Sequence, residues 1–202
     1  MGVFLPDDLY RDSCPIAARF FPIEKMVTIK DKDMFNSRAY RRAMRYYQAN
    51  GWKIKNRRYL TIIDYTRPSY ARRMYVINLK TGDMERHYVA HGKNSGRIMA
   101  THFSNEINSL KSSKGFFLTG EEYSGKHGRS LRLVGLEKDI NDNAMERGIV
   151  LHGAPYVNVR SIMLNGGRLG LSWGCPAVSK KDIHPIVDKI KDGSLLYIHT
   201  KS

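Results

Sequence analysis

Cysteine is nearly missing from this chain: 202 residues contain two, Cys14 and Cys175. Two thiols make no disulfide framework, and neither stands in a CxxC or other metal-ligand spacing. No apolar run approaches the roughly 20 residues that span a bilayer, so no membrane span is expected. Met1 to Pro6 has no basic cluster and only Val3, Phe4 and Leu5 as an apolar run, which does not read as a secretory leader. Internal repeats and low-complexity tracts are also lacking. Negative charge is scarce, with 19 Asp and Glu against 34 Lys and Arg, for a net charge of +15. Such a surface is drawn to polyanions: nucleic acid, anionic lipid or anionic wall polymer. The chain has no helix-turn-helix, zinc-finger or RNP-like signature, which argues against nucleic acid.

What is present suffices for a packed core. Hydrophobic residues make up 42% and charged residues 26%, which excludes wholesale disorder and fits one substantial domain with a small appendage. Residues 1–32 read as an irregular lead-in, interrupted by Pro6, Pro15 and Pro22. A helix is predicted over 36–49, where Ala39, Tyr40, Ala43, Met44 and Tyr47 recur at helical spacing. Asn36 or Ser37 is placed to cap it, and Asn50-Gly51 to end it. Arg38, Arg41, Arg42 and Arg45 lie off that apolar face, as a solvated stripe or, alternatively, a polyanion contact.

After Gly51 the pattern turns to β. Strands are predicted over 59–65, 73–79, 84–90, 116–118, 131–136, 149–152 and 195–199, with a hairpin turn at Thr81-Gly82-Asp83. Residues 92–114 read as loop. A second helix opens at Ser179, with Asp182 three residues on as a variant capping box, and Gly193 stops it. Its buried face is Ile183, Ile186, Val187 and Ile190. The fold class is therefore mainly β (α+β): an N-terminal extension over 1–55 with one amphipathic helix, and a β-rich domain over 56–202.

The chemistry concentrates in the second half. Gly-Gly-Arg-Leu-Gly-Leu-Ser-Trp-Gly-Cys-Pro-Ala-Val (166–178) places Cys175 between Gly174 and Pro176, an odd setting for a core thiol. Glycines let a backbone approach a ligand closely, and successive N–H groups in such a turn can converge into an oxyanion hole. The nucleophile must be a thiolate, which calls for a base. His152 is the best candidate: it ends the apolar strand Ile149-Val150-Leu151 and precedes Gly153, which leaves room beside the imidazole. For an arbitrary pair, a buried thiol and a structural histidine would be the leading reading; the flanking glycines favour catalysis.

These residues carry a resemblance. Leu151-His152-Gly153-Ala154-Pro155-Tyr156, followed by Gly-Arg-Leu-Gly-Leu-Ser-Trp-Gly-Cys-Pro-Ala-Val (167–178), resembles the active-site signature of the YkuD-type L,D-transpeptidases, and within them the murein L,D-transpeptidase catalytic domain branch. Trp173 stands where most members have a second histidine, and the loop between the motifs is longer. Upstream, Tyr59 to Tyr65, Val89 to Gly96, Phe103-Ser-Asn105 and Tyr123 to Leu133 also resemble the branch, so the likeness covers roughly 56–202.

The resemblance implies a β-sandwich catalytic domain and a cysteine acyl transfer on peptidoglycan stem peptides. Cys175 would attack the amide after the third residue of a stem tetrapeptide, release D-alanine, and pass the acyl group to an amine or to water. His152 would be the base, oriented by the Gly153 carbonyl as a triad's third group orients its histidine. The N–H groups of Trp173, Gly174 and Cys175 would form the oxyanion hole. It further implies an extracytoplasmic or periplasmic location in a bacterium, with the leader removed, and no cofactor. Anionic wall polymers are a possible further partner, given the charge.

Other residues have two readings each. Tyr123, Lys126, His127 and Arg129 sit in a Gly-punctuated loop, as a substrate wall meeting stem carboxylates or as a solvated loop. Arg168 holds a carboxylate or braces the nucleophile loop, and Ser172 is assigned to substrate. Trp173 covers the cleft or packs under the loop. His91 is read as structural, and no partner is assigned to His87, His102, His184 or His199. No histidine spacing suits zinc, so no metal is expected. The rival readings are an L,D-carboxypeptidase or endopeptidase on the same bond class, a non-catalytic murein-binding module, and a basic nucleic-acid binder. The last leaves the glycine-framed Cys and His unexplained.

Overall fold

The computed structural model describes residues 30–201; the lead-in as far as residue 29, with Cys14, lies outside the described residues. Eight strands form one sheet: β1 (Tyr59–Asp64), β2 (Met74–Asn78), β3 (Met84–His87), β4 (Gly115–Gly125), β5 (Gly128–Gly135), β6 (Val150–Ala154), β7 (Ala177–Ser179) and β8 (Leu195–His199). Their spatial order is β3-β2-β1-β8-β4-β5-β6-β7. β1 runs parallel to β8 and β6 to β7; the other pairs are antiparallel. The sheet curls until its ends meet, because the chain beyond β3 reaches the last strand and Ala90 bridges Ala177. The expected sandwich is thus a nearly closed barrel-like core wrapped from a single sheet.

Central strands read as continuous apolar runs because both faces are buried. In β1, Leu60 and Ile62 face one cluster and Ile63 the other; β8 likewise divides Leu195 and Tyr197 from Leu196 and Ile198. The inner cluster receives the helix α4 (Ile183–Ile190), whose buried face is the predicted Ile183, Ile186, Val187 and Ile190. Each such side chain contributes about 1.5–3 kcal/mol by leaving water. On the outer face lies α2 (Arg38–Ala49), with Ala39, Tyr40, Ala43 and Met44 buried against Leu60, Ile62 and Tyr75. Tyr46 stacks on Phe116 at 3.8 Å and Phe116 on Tyr197 at 4.3 Å, so this N-terminal helix shares a core with the sheet. Ser37 caps α2 by accepting from the Tyr40 amide at 3.1 Å. Arg38, Arg41 and Arg45 are solvated, and Arg42 sits 5.9 Å over the Tyr197 ring.

Several elements differ from expectation. A one-turn helix, α1 (Lys32–Phe35), precedes α2. The second predicted helix begins later, at Ile183: Asp182 is its N-cap, and Ser179 instead exchanges hydrogen bonds with Asp182, donating to the carboxylate at 2.6 Å and accepting from the amide at 3.2 Å. The supposed loop around Tyr123–Arg129 is a long β4–β5 hairpin that turns at Lys126-His127, with Gly128 at φ 78°. A bulge between Thr119 and Glu122 bends β4, as an extra residue in one strand does. The helix α3 (Val159–Leu164), which was not predicted, buries no residue: Val159, Met163 and Leu164 are exposed and Ile162 is only partly buried.

Candidate active site

His152 lies on β6, paired across the sheet with Ser130 on β5, which in turn pairs with Tyr123 on β4. Residues directly opposite in a ladder share a face, so Tyr123 stands on the same face as the histidine. His152 is 2% exposed. Its Nδ1 lies 3.2 Å from the carbonyl oxygen of Gly153. A carbonyl only accepts, so Nδ1 carries the proton and Nε2 keeps a free lone pair. Burial pushes the imidazole below its ordinary pKa; the Gly153 carbonyl opposes this, and the nearby charges of His127 and Lys126 add to it. No carboxylate among the described residues hydrogen-bonds His152.

Cys175 precedes β7, whose Ala177 pairs with His152. That parallel register brings the sulfur beside β6: the Val150 amide points at Sγ at 3.5 Å, and Sγ lies 3.4 Å from the Gly148 carbonyl. Burial raises the thiol's pKa, while the Val150 amide, the Arg147 and Lys126 charges and the residue's own amide pull it down.

The nucleophile loop is built from Ser172. Its hydroxyl donates to the Cys175 carbonyl at 2.6 Å and accepts from the Gly174 amide at 3.2 Å, so this residue, expected to touch substrate, shapes the turn. One of the three amides assigned to the oxyanion hole is therefore already engaged. Gly174 adopts φ 125°, and a Cβ there would stand 2.9 Å from the Lys111 carbonyl. Gly174→Ala is expected to cost about 1–3 kcal/mol of backbone strain and to slow acylation of Cys175 at least as much as it lowers stability, read by intact mass after a timed acylation. Full acylation at the wild-type rate would contradict the need for this geometry.

Behind the loop lies a buried guanidinium. Arg73 is fully buried, donates to the Val89 and Arg67 carbonyls, and sits 4.6 Å over the Tyr65 ring. Its Nη2 lies 2.7 Å from Nδ1 of His91, whose Nε2 lies 3.1 Å from the Gly96 carbonyl. Arginine can only donate, so Nδ1 must accept and His91 is neutral. The His91 carbonyl in turn receives the Ser172 amide at 3.0 Å, tying this cluster to the nucleophile loop. The structural role expected for His91 thus has a definite form, and burial followed by the Arg73 charge depresses its pKa to about 4. As pH falls from about 6.5 to 4, the unfolded chain takes this proton and the folded chain does not, so stability is lost across that window. The expected loss is on the order of 2–3 kcal/mol, read as the urea midpoint at pH 7 and 4.5. His91→Gln should flatten the difference; parallel curves for both proteins would refute the assignment.

The hairpin tip covers the site. The His127 ring stacks on His152 with centroids 4.3 Å apart, and Lys126 Nζ lies 5.2 Å from the Trp173 ring centroid. Trp173 is 70% exposed, so it does not pack under its loop. Arg129 is occupied by ion pairs to Glu122 and Asp188, both at 2.5 Å. Arg168 donates to the Leu169 carbonyl at 3.1 Å, and its Nε is buried without a partner. Gly153 leaves room, but not beside the imidazole: a Cβ there would meet Ile183 at 2.9 Å and the Lys180 backbone at 3.3 Å, so the space admits α4.

Arg147 was not anticipated from the sequence. It forms no ion pair among the described residues and is held by neutral oxygens of the 104–113 loop, including Ser113 Oγ and the Lys111 carbonyl, both at 2.6 Å. Those partners are more than 30 positions away, so local pattern gave no signal. No group of three or more His, Cys, Asp or Glu among the described residues is arranged to hold a metal ion.

A family model described as the L,D-transpeptidase catalytic domain matches residues 31–199, and the chain belongs to that family. No curated protein sequence matches it. Among solved structures it is similar to an L,D-transpeptidase from Mycobacterium smegmatis, at 13% identity and a TM-score of 0.44, covering 71% of this chain and 59% of that one. It is also similar to the helical cell shape determining protein Pgp2 from Campylobacter jejuni, at 14% identity, a TM-score of 0.46, and coverage of 74% and 49%. A third is L,D-transpeptidase 3 from Mycobacterium tuberculosis, solved with a faropenem-derived adduct, at 11% identity, a TM-score of 0.46, and coverage of 71% and 60%. The chain therefore spans about half to three-fifths of the length of these structures.

Proposed function

We propose that this chain is the catalytic domain of a peptidoglycan L,D-transpeptidase with Cys175 as nucleophile and His152 as base. The observation that carries the reading is the hydrogen bond from His152 Nδ1–H to the Gly153 carbonyl, on the strand whose Val150 amide meets the Cys175 sulfur. The bond leaves Nε2 as the proton acceptor. The thiol gives up its proton to Nε2, and the thiolate adds to the carbonyl carbon between the third and fourth stem residues. The tetrahedral oxyanion is met by loop amides, of which those of Trp173 and Cys175 donate to no carbonyl of the described residues. Collapse breaks the C–N bond, and the imidazolium protonates the departing D-alanine amine. An amine then resolves the thioester.

Family membership and the exposed cations at the cleft mouth, Lys93 and Lys126, support an anionic stem peptide as substrate. Such a substrate places the enzyme outside the cytoplasm; no helix among the described residues is long and apolar enough to cross a membrane. The test is incubation with disaccharide tetrapeptides, read by mass spectrometry. Cross-linked dimers or exchanged fourth residues are expected. Tripeptide alone would make the protein an L,D-carboxypeptidase, and unchanged substrate would leave only wall binding.

A further inference from the structure

We infer that the outer face of α3, with the loops at Tyr70 and Ile98, is a docking surface for a membrane of anionic lipid. Its residues take no part in the acyl transfer proposed above, so docking and catalysis can fail separately.

α3 exposes side chains that a helix on a domain surface ordinarily turns inward. Met163 is 78% exposed, Leu164 73% and Val159 54%. The helix is nonetheless firmly built. Asn158 caps it by accepting from the Ser161 amide at 2.8 Å, and the Gly167 amide donates to the Ile162 carbonyl at 2.9 Å. Ile162 turns inward, against the cluster of Ala90, Ala154, Val157, Leu169 and Ala177. The exposed side chains therefore stand on a fixed platform. Two neighbouring loops extend it. The Leu169 amide, just after the helix, donates to Ser69 Oγ at 3.3 Å, and the Ser69 amide donates to the Ile98 carbonyl at 2.8 Å. Beside these contacts Tyr70 and Ile98 are exposed. Apolar groups gathered in this way on a surface mark an interaction site.

Charge identifies the partner. The segments that build the patch are free of acid: no Asp or Glu occurs in 65–80, 86–105 or 147–181. Arg72, Arg97 and Arg160 are exposed on them and form no ion pair with the described residues. Arg72 lies 5.3 Å over the ring of Tyr88, which packs on the same cluster as Ile162. Apolar side chains set among cations without a carboxylate partner match a bilayer surface. There Met163 and Leu164 enter the acyl boundary and the guanidiniums meet anionic headgroups. A second copy of this face would bring cation against cation. A nucleic acid or wall polymer would use the arginines and leave Met163 and Leu164 in water. α3 lies in the segment joining His152 to Cys175, so docking would hold that side of the domain near the bilayer.

The experiment mixes the full chain with vesicles of phosphatidylcholine, alone or with an equal share of phosphatidylglycerol, and reads binding by co-sedimentation. Phosphatidylglycerol should tighten binding about tenfold or more, and added salt should weaken it. M163S/L164S and R72Q/R97Q/R160Q should each lose about tenfold or more, with melting temperature and Cys175 alkylation unchanged. R38Q/R41Q/R45Q, on α2 and a different cluster, should bind as the wild type does. Amide exchange in 159–167 should slow when vesicles are present. No binding, equal binding to both vesicles, full binding by either patch variant, or a loss confined to the α2 variant would overturn the docking surface. A lipid-free dimer that M163S/L164S dissolves would assign the patch to self-association. Binding of a soluble polyanion lost only in the arginine variant, with no vesicle bound, would assign it to a polymer. Either result overturns membrane docking.

Discussion

Cys175→Ala should lower turnover of muropeptides by roughly a thousandfold or more, with the melting temperature almost unchanged. Among the described residues the sulfur's hydrogen-bond contacts with other residues are two weak ones, with the Val150 amide and the Gly148 carbonyl, so its removal leaves no strong bond unmade. The loop itself is held by Ser172, which Cys175→Ala leaves in place because it bonds the residue's carbonyl. Cys14→Ala should change little. A carbapenem, which family membership leads us to expect as an acylating agent, should add once to the intact mass, at Cys175. Normal activity in Cys175→Ala, or an adduct mapping to Cys14, would refute the nucleophile assignment.

The second large effect is the pH dependence of that thiol. Burial raises the Cys175 pKa and lowers that of His152, so at neutral pH the resting pair is thiol and neutral imidazole. Alkylation by iodoacetamide should therefore rise through neutral and into alkaline pH, without an acidic plateau. A profile flat down to about pH 4, as strongly paired thiolates give, would require a carboxylate partner. Of the nearby acids, Glu122 is held by Arg129 and Lys191, and Glu121 is exposed. Arg147 is the charge that lowers the thiol most, and its guanidinium forms no ion pair with a carboxylate among the described residues. Arg147→Gln should shift the alkylation profile to higher pH by up to about one unit, a tenfold loss at fixed pH, and Arg147→Lys should restore most of it. A purely bracing role would lower stability in both variants and leave the profile where it was.

Cys175, His152 and Gly153, the residues proposed for the chemistry, stood out in the sequence because each lies in a glycine frame, and glycines mark places where backbone must come close. The contact of the Gly153 carbonyl with His152 was implied by the family resemblance rather than by any local pattern, and the two atoms lie 3.2 Å apart. Strands such as β8 were legible because burial on both faces leaves an unbroken apolar run. The β4–β5 hairpin hid its length because Gly120 to Gly128 is polar: an arm reaching past the core has no face to bury, hence no alternation. Arg147 became visible only with tertiary structure, since its neighbours come from a distant loop. The part Ser172 plays in shaping the loop was hidden for a related reason. A hydroxyl beside a nucleophile invites a substrate role, and here its two bonds close back on the loop.

The seam at Ala90 and Ala177 has a consequence for the order of folding. It joins the first hairpin to the last strand, and Ser172 is stitched into the same seam through the His91 and Lys93 backbones. Contacts so distant in sequence are late to form, because the loop-closure entropy must be met before they are rewarded. The nucleophile loop therefore takes its shape only when the barrel shuts. A chain caught half-folded, with only the local strands β1, β2 and β3 paired, would carry the thiol without the loop that aims it. The same logic applies to fluctuations of the finished molecule: amide exchange in Ser172 and Lys93 should report opening of the seam, and each opening would silence the enzyme until it closes again.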